Sequence, residues 1–153
     1  RSDEDDNFEI ITQAKLVEMY ENLTNVTWIV MIGISAIALI VGGVGIMNIM
    51  MVSVTERTRE IGIRKAVGAR SRDVLTQFLV ESAVLSGLGG VLGLAAAFGL
   101  TAFISSATPM PASIEVWSVF LAIGVSVTVG VFFGLYPASR AARMDPIVAL
   151  RYE

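Results

Sequence analysis

The stretch TERTREIGIRKAVGAR, residues 55–70, is a dense cluster of charge between two long apolar segments. Residues 22–55 contain no Asp, Glu, Lys or Arg, and the same holds for residues 82–114 and 116–139. Each of these runs exceeds the roughly 20 residues with which an α-helix crosses the hydrocarbon core of a bilayer. The sequence therefore predicts an all-α membrane protein with three transmembrane helices, at residues 28–55, 74–104 and 116–136.

The composition supports a membrane location and excludes several kinds of chemistry. Of the 153 residues, 54% are hydrophobic and 16% are charged, whereas soluble domains are about 45–50% apolar and about 25% charged. The chain has no cysteine and no histidine, which excludes disulfides, Cys or His metal sites and Ser–His or Cys–His nucleophiles within it. It also lacks the P-loop motif G-x-x-x-x-G-K-[ST]. We therefore predict no catalytic residue, no metal and no bound cofactor in this segment.

Ion-coupled transport is another class against which the sequence argues. Secondary transporters and channels place ionisable side chains at mid-membrane depth, and the three charge-free runs contain none. Glu81 comes closest, about two turns into the second span. We expect it near the cytoplasmic face, paired with an arginine of residues 57–72; a conformational latch and an ion path are the alternatives. For the whole chain, a purely structural membrane anchor also stays open.

The basic residues predict which ends of the spans face the cytoplasm. Six of the eleven lie in residues 55–73 and three in residues 137–153. Because Lys and Arg accumulate on the cytoplasmic side, we expect residues 56–73 and 137–153 inside the cell and residues 105–115 outside. Residues 1–27 are then extracytoplasmic, and the helical spacing of their apolar residues predicts a stalk helix ahead of the first span.

The charged stretch has the pattern of a short helix. Glu60 and Arg64 stand at i and i+4 with the acid first, the order that stabilises a helix. Ile63, Ala66 and Val67 fall at i, i+3 and i+4 and form an apolar patch on one face. We predict a cytoplasmic helix whose patch either rests on lipid headgroups or docks into a partner protein.

The helix ends carry signals of their own. Gly68 is typical of the residue after a helix C-terminus, and Ser71 is expected to be the N-cap of the next helix. Pro137 is expected to end the third span. In the tail, Asp145 followed by Pro146 matches an N-cap and a proline at the first helical position. A short final helix should follow, with the apolar residues Ile147, Val148 and Leu150.

Glycine recurs within the predicted spans, twice as G-x-x-x-G. Small residues let membrane helices approach each other closely. Contact within one chain and contact between two copies are both compatible with this pattern. The expected packing positions are Gly42, Gly43, Gly89, Gly93, Gly130 and Gly134.

Two stretches of the chain resemble a known family. They are IVGGVGIMNIMMVSVTERTREIGIRKAVGAR, residues 40–70, and FGLYPASRAARMDPIVALRYE, residues 133–153. Both are similar to signatures of the FtsX-like permease family of ABC transporters, and within it the MacB type. The resemblance implies a permease with four transmembrane helices and a large extracytoplasmic domain between the first two. This chain would be the C-terminal part of such a permease and supply its last three helices.

The resemblance also implies partners and coupling residues. Such permeases work as homodimers with two ABC ATPase domains, fused or separate, in which ATP and Mg²⁺ would bind. A helix over about residues 57–68 would be the coupling helix, which sits in a cleft of the ATPase. The residues implied in coupling are Glu56, Arg57, Arg59, Glu60, Ile61, Gly62, Ile63, Arg64, Ala66, Val67 and Gly68.

The implied function is mechanotransmission. Closure of the ATPase dimer would move the membrane helices and the outer domain, and so drive export of amphiphilic compounds or peptides. An adaptor protein would be a further partner, together with an outer-membrane channel in a cell with two membranes. The alternative is a non-exporting FtsX-like permease that regulates a cell-wall hydrolase or releases lipoproteins. We expect a multi-pass protein of the bacterial inner or plasma membrane that contacts membrane lipid and no nucleic acid.

Overall fold

The computed structural model describes residues 13–108 and 112–150, most of which are helical. No strand occurs in these two ranges, and three helices are long and apolar enough to cross a membrane. The prediction of an all-α protein with three spans is thus confirmed. The helices are α1 (Gln13–Glu56), α2 (Thr58–Ala66), α3 (Ser71–Ala107), α4 (Val116–Ala142) and α5 (Pro146–Leu150).

α1 joins two segments that the sequence predicts separately. It begins at Gln13, inside the predicted stalk, and continues to Glu56, at the end of the predicted first span. The rest of the stalk, residues 1–12, lies outside the described residues. Residues 109–111 of the loop and 151–153 of the tail lie outside them as well.

The chain divides into two compact units, Arg1–Leu39 and Ile40–Glu153. The described residues of the first unit belong to α1, and none of their side chains is buried. Large exposed apolar side chains recur along this part of α1. Lipid or other membrane helices are the surroundings that suit such a helix within a span. The second unit contains the core and all the contacts described below.

α4 continues past Pro137 and ends only at Ala142, so the expectation that Pro137 ends the third span is wrong. Proline lacks the N–H that would donate to the carbonyl four residues earlier, here that of Phe133. The helix persists because the turn after the proline is packed: Ala138 and Ala141 are fully buried. Here tertiary packing outweighs the cost of proline in a helix, which is about 3 kcal/mol.

The core of the second unit lies where the ends of α1 and α4 meet α2 and the start of α3. Its largest fully buried side chains are Phe78 of α3 and Met50 of α1. Alanines supply the α4 side, so these large side chains fit close against the α4 backbone. Full burial of one such side chain contributes about 1.5–3 kcal/mol. The core residues are Met50, Val54, Ile61, Val74, Phe78, Ala138 and Ala141.

α3 and α4 approach each other along a seam of small residues. The Ser126 hydroxyl donates to the Ser86 carbonyl oxygen at 2.5 Å and joins the two helices directly. Ser82 and Ser86 are buried, and their hydroxyls donate to carbonyl oxygens of their own helix at 2.9 and 3.1 Å. Both helices present a small residue at every fourth position: Ser82, Ser86 and Gly90 on α3, and Ser126, Gly130 and Gly134 on α4.

Three of the six predicted packing glycines lie at close contacts within the chain. A Cβ at Gly130 would come within 2.8 Å of the Ser82 carbonyl oxygen. A Cβ at Gly134 would overlap the side chain of the same serine, and one at Gly43 would overlap the ring of Phe133. A larger residue at Gly43 or Gly134 would force a neighbouring side chain to move, and at Gly130 it would also press on the backbone of α3.

The other three predicted glycines have open space around them. A Cβ added at Gly42, Gly89 or Gly93 would meet nothing within 4 Å. On α3 it is Gly90, beside the G-x-x-x-G pair, that faces α4, where a Cβ would lie 2.9 Å from the Ser126 side chain. A packing role for Gly42, Gly89 and Gly93, against a helix of another chain or a further helix, stays a prediction.

Replacing Gly130 by alanine is expected to destabilise the protein, because the added methyl group would push α4 away from α3. Overpacking of this kind costs about 1–3 kcal/mol. Gly124→Ala on the same helix is the matched control, since its methyl group would meet nothing within 4 Å and alanine favours a helix by about 1 kcal/mol over glycine. Thermal unfolding of the full-length protein in detergent measures both. Equal midpoints for the two variants would contradict the proposed seam.

Candidate functional site

α2 is fixed to the membrane helices by its buried face. Thr58, Ile61 and Gly62, at i, i+3 and i+4, are all buried. Ile61 is 3% exposed and belongs to the core built with α1, α3 and α4. The Thr58 hydroxyl donates to the Val54 carbonyl oxygen at 3.1 Å, so its polar group is satisfied despite burial. Apolar packing therefore holds α2 in place, in addition to its covalent connections to α1 and α3.

α2 also has an exposed stripe, and this one is apolar. It consists of Ile63, Ala66 and Val67, and we call these three residues the exposed patch. The side chains of Ile63 and Val67 are 46% and 85% exposed. The patch thus lies on the surface of the chain as its sequence spacing predicts. Glu56 and Arg59, which the family resemblance includes among the coupling residues, are exposed as well.

Two arginines of this segment form ion pairs. Arg57 Nη1 lies 3.2 Å from Glu81 Oε2, which confirms the expected pairing of Glu81. Arg64 pairs with Glu60, as their spacing predicts, and also donates to Gln77 Oε1 of α3 at 2.7 Å. The four charged side chains are 36–51% exposed, so each pair contributes only about 0–1 kcal/mol.

Lys65 forms a partly buried polar link between α2 and the end of α4, and reasoning from sequence did not single it out. Its ammonium donates to the carbonyl oxygens of Ala142 at 2.8 Å and of Met144 at 2.7 Å. The acceptors are backbone atoms 77 and 79 residues away in the chain. A backbone carbonyl so far away in the chain leaves no pattern of side chains in the sequence that would predict it as a partner. The only sign of this contact in the sequence is that Lys65 follows Ile61 and Gly62, which are buried in the core, by one turn of α2.

The end of α2 follows the predicted glycine signal. Gly68 has φ 109°, the only positive φ among the described residues. Its N–H donates to the Lys65 carbonyl at 3.1 Å, and the Ala69 N–H donates to the Arg64 carbonyl at 3.0 Å. This pair of bonds is the Schellman motif, which requires a left-handed residue after the helix. Gly68 therefore closes α2 and turns the chain towards α3.

The start of α3 lies one residue earlier than expected. Ser71 is the first residue of the helix, and the N-cap position is Arg70. The Arg70 N–H donates to Asp73 Oδ2 at 3.0 Å, which satisfies a backbone group at the helix start. The prediction of Ser71 as the N-cap is thus wrong, because the carboxylate of the third helical residue reaches back and does the capping.

α5 begins as predicted but buries an unexpected residue. The Ile147 N–H donates to Asp145 Oδ1 at 2.8 Å, which confirms Asp145 as the cap ahead of Pro146. Ala149 is 1% exposed, whereas Ile147 and Val148 are exposed. α5 thus packs against α2 through its smallest side chain. The third expected apolar residue is Leu150, whose side chain lies outside the part of the chain that the structure describes.

The part of the chain that the structure describes has open grooves on its surface and no cluster of metal-binding side chains. It contains no group of three or more His, Cys, Asp or Glu side chains that could hold a metal ion. A groove of about 150 Å³ between α1, α2, α4 and α5 is smaller than the roughly 300–1,000 Å³ of ligand pockets. Two shallow apolar grooves, one along α1 and one between α1 and α4, measure about 380 and 470 Å³. The smallest groove is the one that contacts α2. It is lined by Met51, Val54, Thr55, Thr58, Arg140, Met144, Val148 and Ala149.

The chain matches known membrane proteins over nearly its whole length. Residues 32–146 match the model of the FtsX-like permease C-terminal family. The chain is 47% identical over 152 residues to the macrolide export ATP-binding/permease protein MacB of Bdellovibrio bacteriovorus, covering 99% of the chain and 23% of that protein. It is 43% identical over 149 residues to the uncharacterized ABC transporter permease YknZ of Bacillus subtilis, covering 97% of the chain and 38% of that protein.

These relatives are much longer than the segment they share with this chain, which spans 23% of the one and 38% of the other. The family match covers most of α1, all of α2, α3 and α4, and the linkers between them. It therefore includes both stripes of α2 and all the side-chain hydrogen bonds that join α2 to other helices. The chain belongs to the FtsX-like permease family of ABC transporters and is part of a multi-pass inner-membrane protein.

Proposed function

We propose that this chain is the C-terminal permease part of a MacB-type ABC transporter, in which α2 is the coupling helix that docks into the ATPase. The observation that carries the proposal is that α2 has two stripes at helical spacing: one is buried against the core around Ile61, and the other is apolar and exposed. The buried stripe joins α2 to the spans. The exposed patch is the part that a partner can cover. A displacement imposed on α2 would thus reach the membrane helices through the core.

The chemistry of the exposed face suits a protein cleft. Apolar side chains at i, i+3 and i+4 match the way in which an amphipathic helix lies in a hydrophobic groove. The exposed Arg59 and the Glu60–Arg64 pair would form a polar rim of the kind that surrounds the apolar centre of protein interfaces. Under this proposal residues 56–73 and 137–153 face the cytoplasm, where the ATPase domain resides.

The charge-free spans support mechanotransmission. Residues 22–55, 82–114 and 116–139 contain no Asp, Glu, Lys, Arg or His, the side chains with which a solute or ion path is usually lined. In the proposed mechanism no solute needs to pass between these helices. ATP-driven closure of the ATPase dimer moves α2, the spans follow, and the movement reaches the extracytoplasmic side.

The proposed transporter exports amphiphilic compounds or peptides and contains two copies of the permease. The Bdellovibrio bacteriovorus relative is named for macrolide export, an activity of that protein. ATP and Mg²⁺ would bind in the ATPase domain, whether fused or separate. An adaptor protein would be a further partner, with an outer-membrane channel in a two-membrane cell. A non-exporting permease would use α2 in the same way and differ in its outer domain.

A single cysteine at Ile63 tests the docking of α2. The 153 residues contain no cysteine, so the thiol has no competitor within them. With a second cysteine in the ATPase cleft of the full-length protein, we expect a crosslink in membranes whose yield changes with ATP. Ile147→Cys, on the exposed face of α5, is the control and should crosslink much less. An Ile63 thiol that reacts freely with a water-soluble reagent but never crosslinks would disprove docking.

A charge placed in the exposed patch should separate docking from folding. Ile63→Glu leaves the buried stripe intact but would bury an unpaired carboxylate in the interface, at a cost of several kcal/mol. We expect ATP turnover of the assembled transporter to fall at least tenfold, equivalent to about 1.4 kcal/mol, with an unchanged unfolding midpoint. Ile147→Glu, also at an exposed isoleucine, should keep normal turnover. Normal turnover by Ile63→Glu would argue that the patch only rests on the membrane.

A further inference from the structure

We infer that Lys65 is a positioning residue that makes α4 move together with α2. This inference rests on the proposed function, because it concerns how a displacement of the coupling helix is distributed among the spans. The family resemblance did not include Lys65 among the coupling residues. Its assignment comes from the two hydrogen bonds that its ammonium donates to the end of α4.

The ammonium of Lys65 caps α4. The last carbonyls of a helix have no N–H partner within the helix. The Ala142 carbonyl, at the last residue of α4, accepts from Lys65 Nζ at 2.8 Å, and the Met144 carbonyl accepts at 2.7 Å. A cation at a helix C-terminus is also favoured by the helix dipole. The contact is thus both charge-assisted and directional.

The polar links of α2 divide between two spans. Arg57 and Arg64 reach α3, through Glu81 at 3.2 Å and Gln77 at 2.7 Å. Lys65 alone, among the described hydrogen bonds, joins α2 to the end of α4. The arginine links are exposed, whereas the Lys65 links are partly buried and so less weakened by solvent.

Hydrogen bonds are needed to make α4 move with α2, because apolar packing alone does not prevent one helix from sliding along the other. Ile61 of α2 shares the core with Ala138 and Ala141 of α4. Such contacts resist separation, but packed helices can shift past one another by about 1–2 Å, or by a whole turn of about 5.4 Å. The two bonds from Lys65 converge on fixed backbone oxygens and oppose that shift. α2 and the last turn of α4 are therefore expected to move as one body when the ATPase displaces α2.

A pair of spin labels measures this coupling without relying on a mutant of Lys65. Arg70 and Arg143 are exposed residues that follow α2 and α4. Arg70 lies outside the exposed patch, and each of the two is replaced by cysteine in the full-length transporter, with other cysteines removed. Their separation is measured in lipid with and without ATP and vanadate. We expect it to stay within about 2 Å across these states. A larger change in the parent protein would overturn the inference.

Lys65→Met then tests the residue itself, because methionine keeps an unbranched apolar chain and loses the ammonium. We expect the label separation to change by more than about 2 Å on ATP binding, with the Ile63 crosslink to the ATPase retained. Lys65→Arg should restore the constant separation. Arg64→Gln, which removes the neighbouring exposed link, should behave like the parent.

The outcomes separate the two proposals. A parent protein without the Ile63 crosslink would overturn the docking of α2 and the role of Lys65 with it. A retained crosslink with a constant label separation in Lys65→Met would overturn the role of Lys65 alone. If Lys65→Met does not fold, Lys65→Ala replaces it in the same comparison, and a change of more than about 2 Å in the parent still overturns the inference.

Discussion

The close approach of α3 and α4 is the constraint on which the second unit depends. In a bilayer, apolar side chains gain nothing by leaving lipid for one another, so helices associate through close packing and hydrogen bonds. Gly130 and Gly134 let the α4 backbone touch the Ser82 turn, and Ser126 adds a hydrogen bond across the contact. Phe78, one turn before Ser82 on the same helix, then meets the buried alanines of α4. Without this seam, α3 and α4 would not come together to form the part of the core against which α2 packs.

The core in turn makes the charged segment into a defined element. α2 has only nine residues, too few for an isolated helix to be stable in water. Its ion pairs are exposed and contribute little. Burial of Ile61, the cap at Gly68 and the bonds from Lys65 are what hold it. A helix maintained in this way keeps its orientation while its outer face stays open to a partner.

Much of this architecture could be predicted from the sequence, because its signals are local. The charge-free runs are continuous stretches of sequence, and the Glu60–Arg64 spacing, Gly68 and Asp145 each depend on residues within one or two turns. The contact face of α3 was not predictable by counting glycines, because a buried serine whose hydroxyl bonds to its own helix serves equally well as a small residue. Pro137 misled for a similar reason, since its effect was decided by packing with other helices. Lys65 bonds to backbone oxygens far away in the chain, which no spacing can reveal.

The two stripes of α2 explain why one short helix can serve both folding and docking. Thr58, Ile61 and Gly62 occupy i, i+3 and i+4, and Ile63, Ala66 and Val67 repeat that spacing five residues later. Five residues rotate the stripe by about 140° around a helix with 3.6 residues per turn. The chain covers the first stripe, and the rotation keeps the second out of reach of the same core. The exposed patch can therefore change to suit a partner with little effect on the packing that holds α2 to the membrane helices.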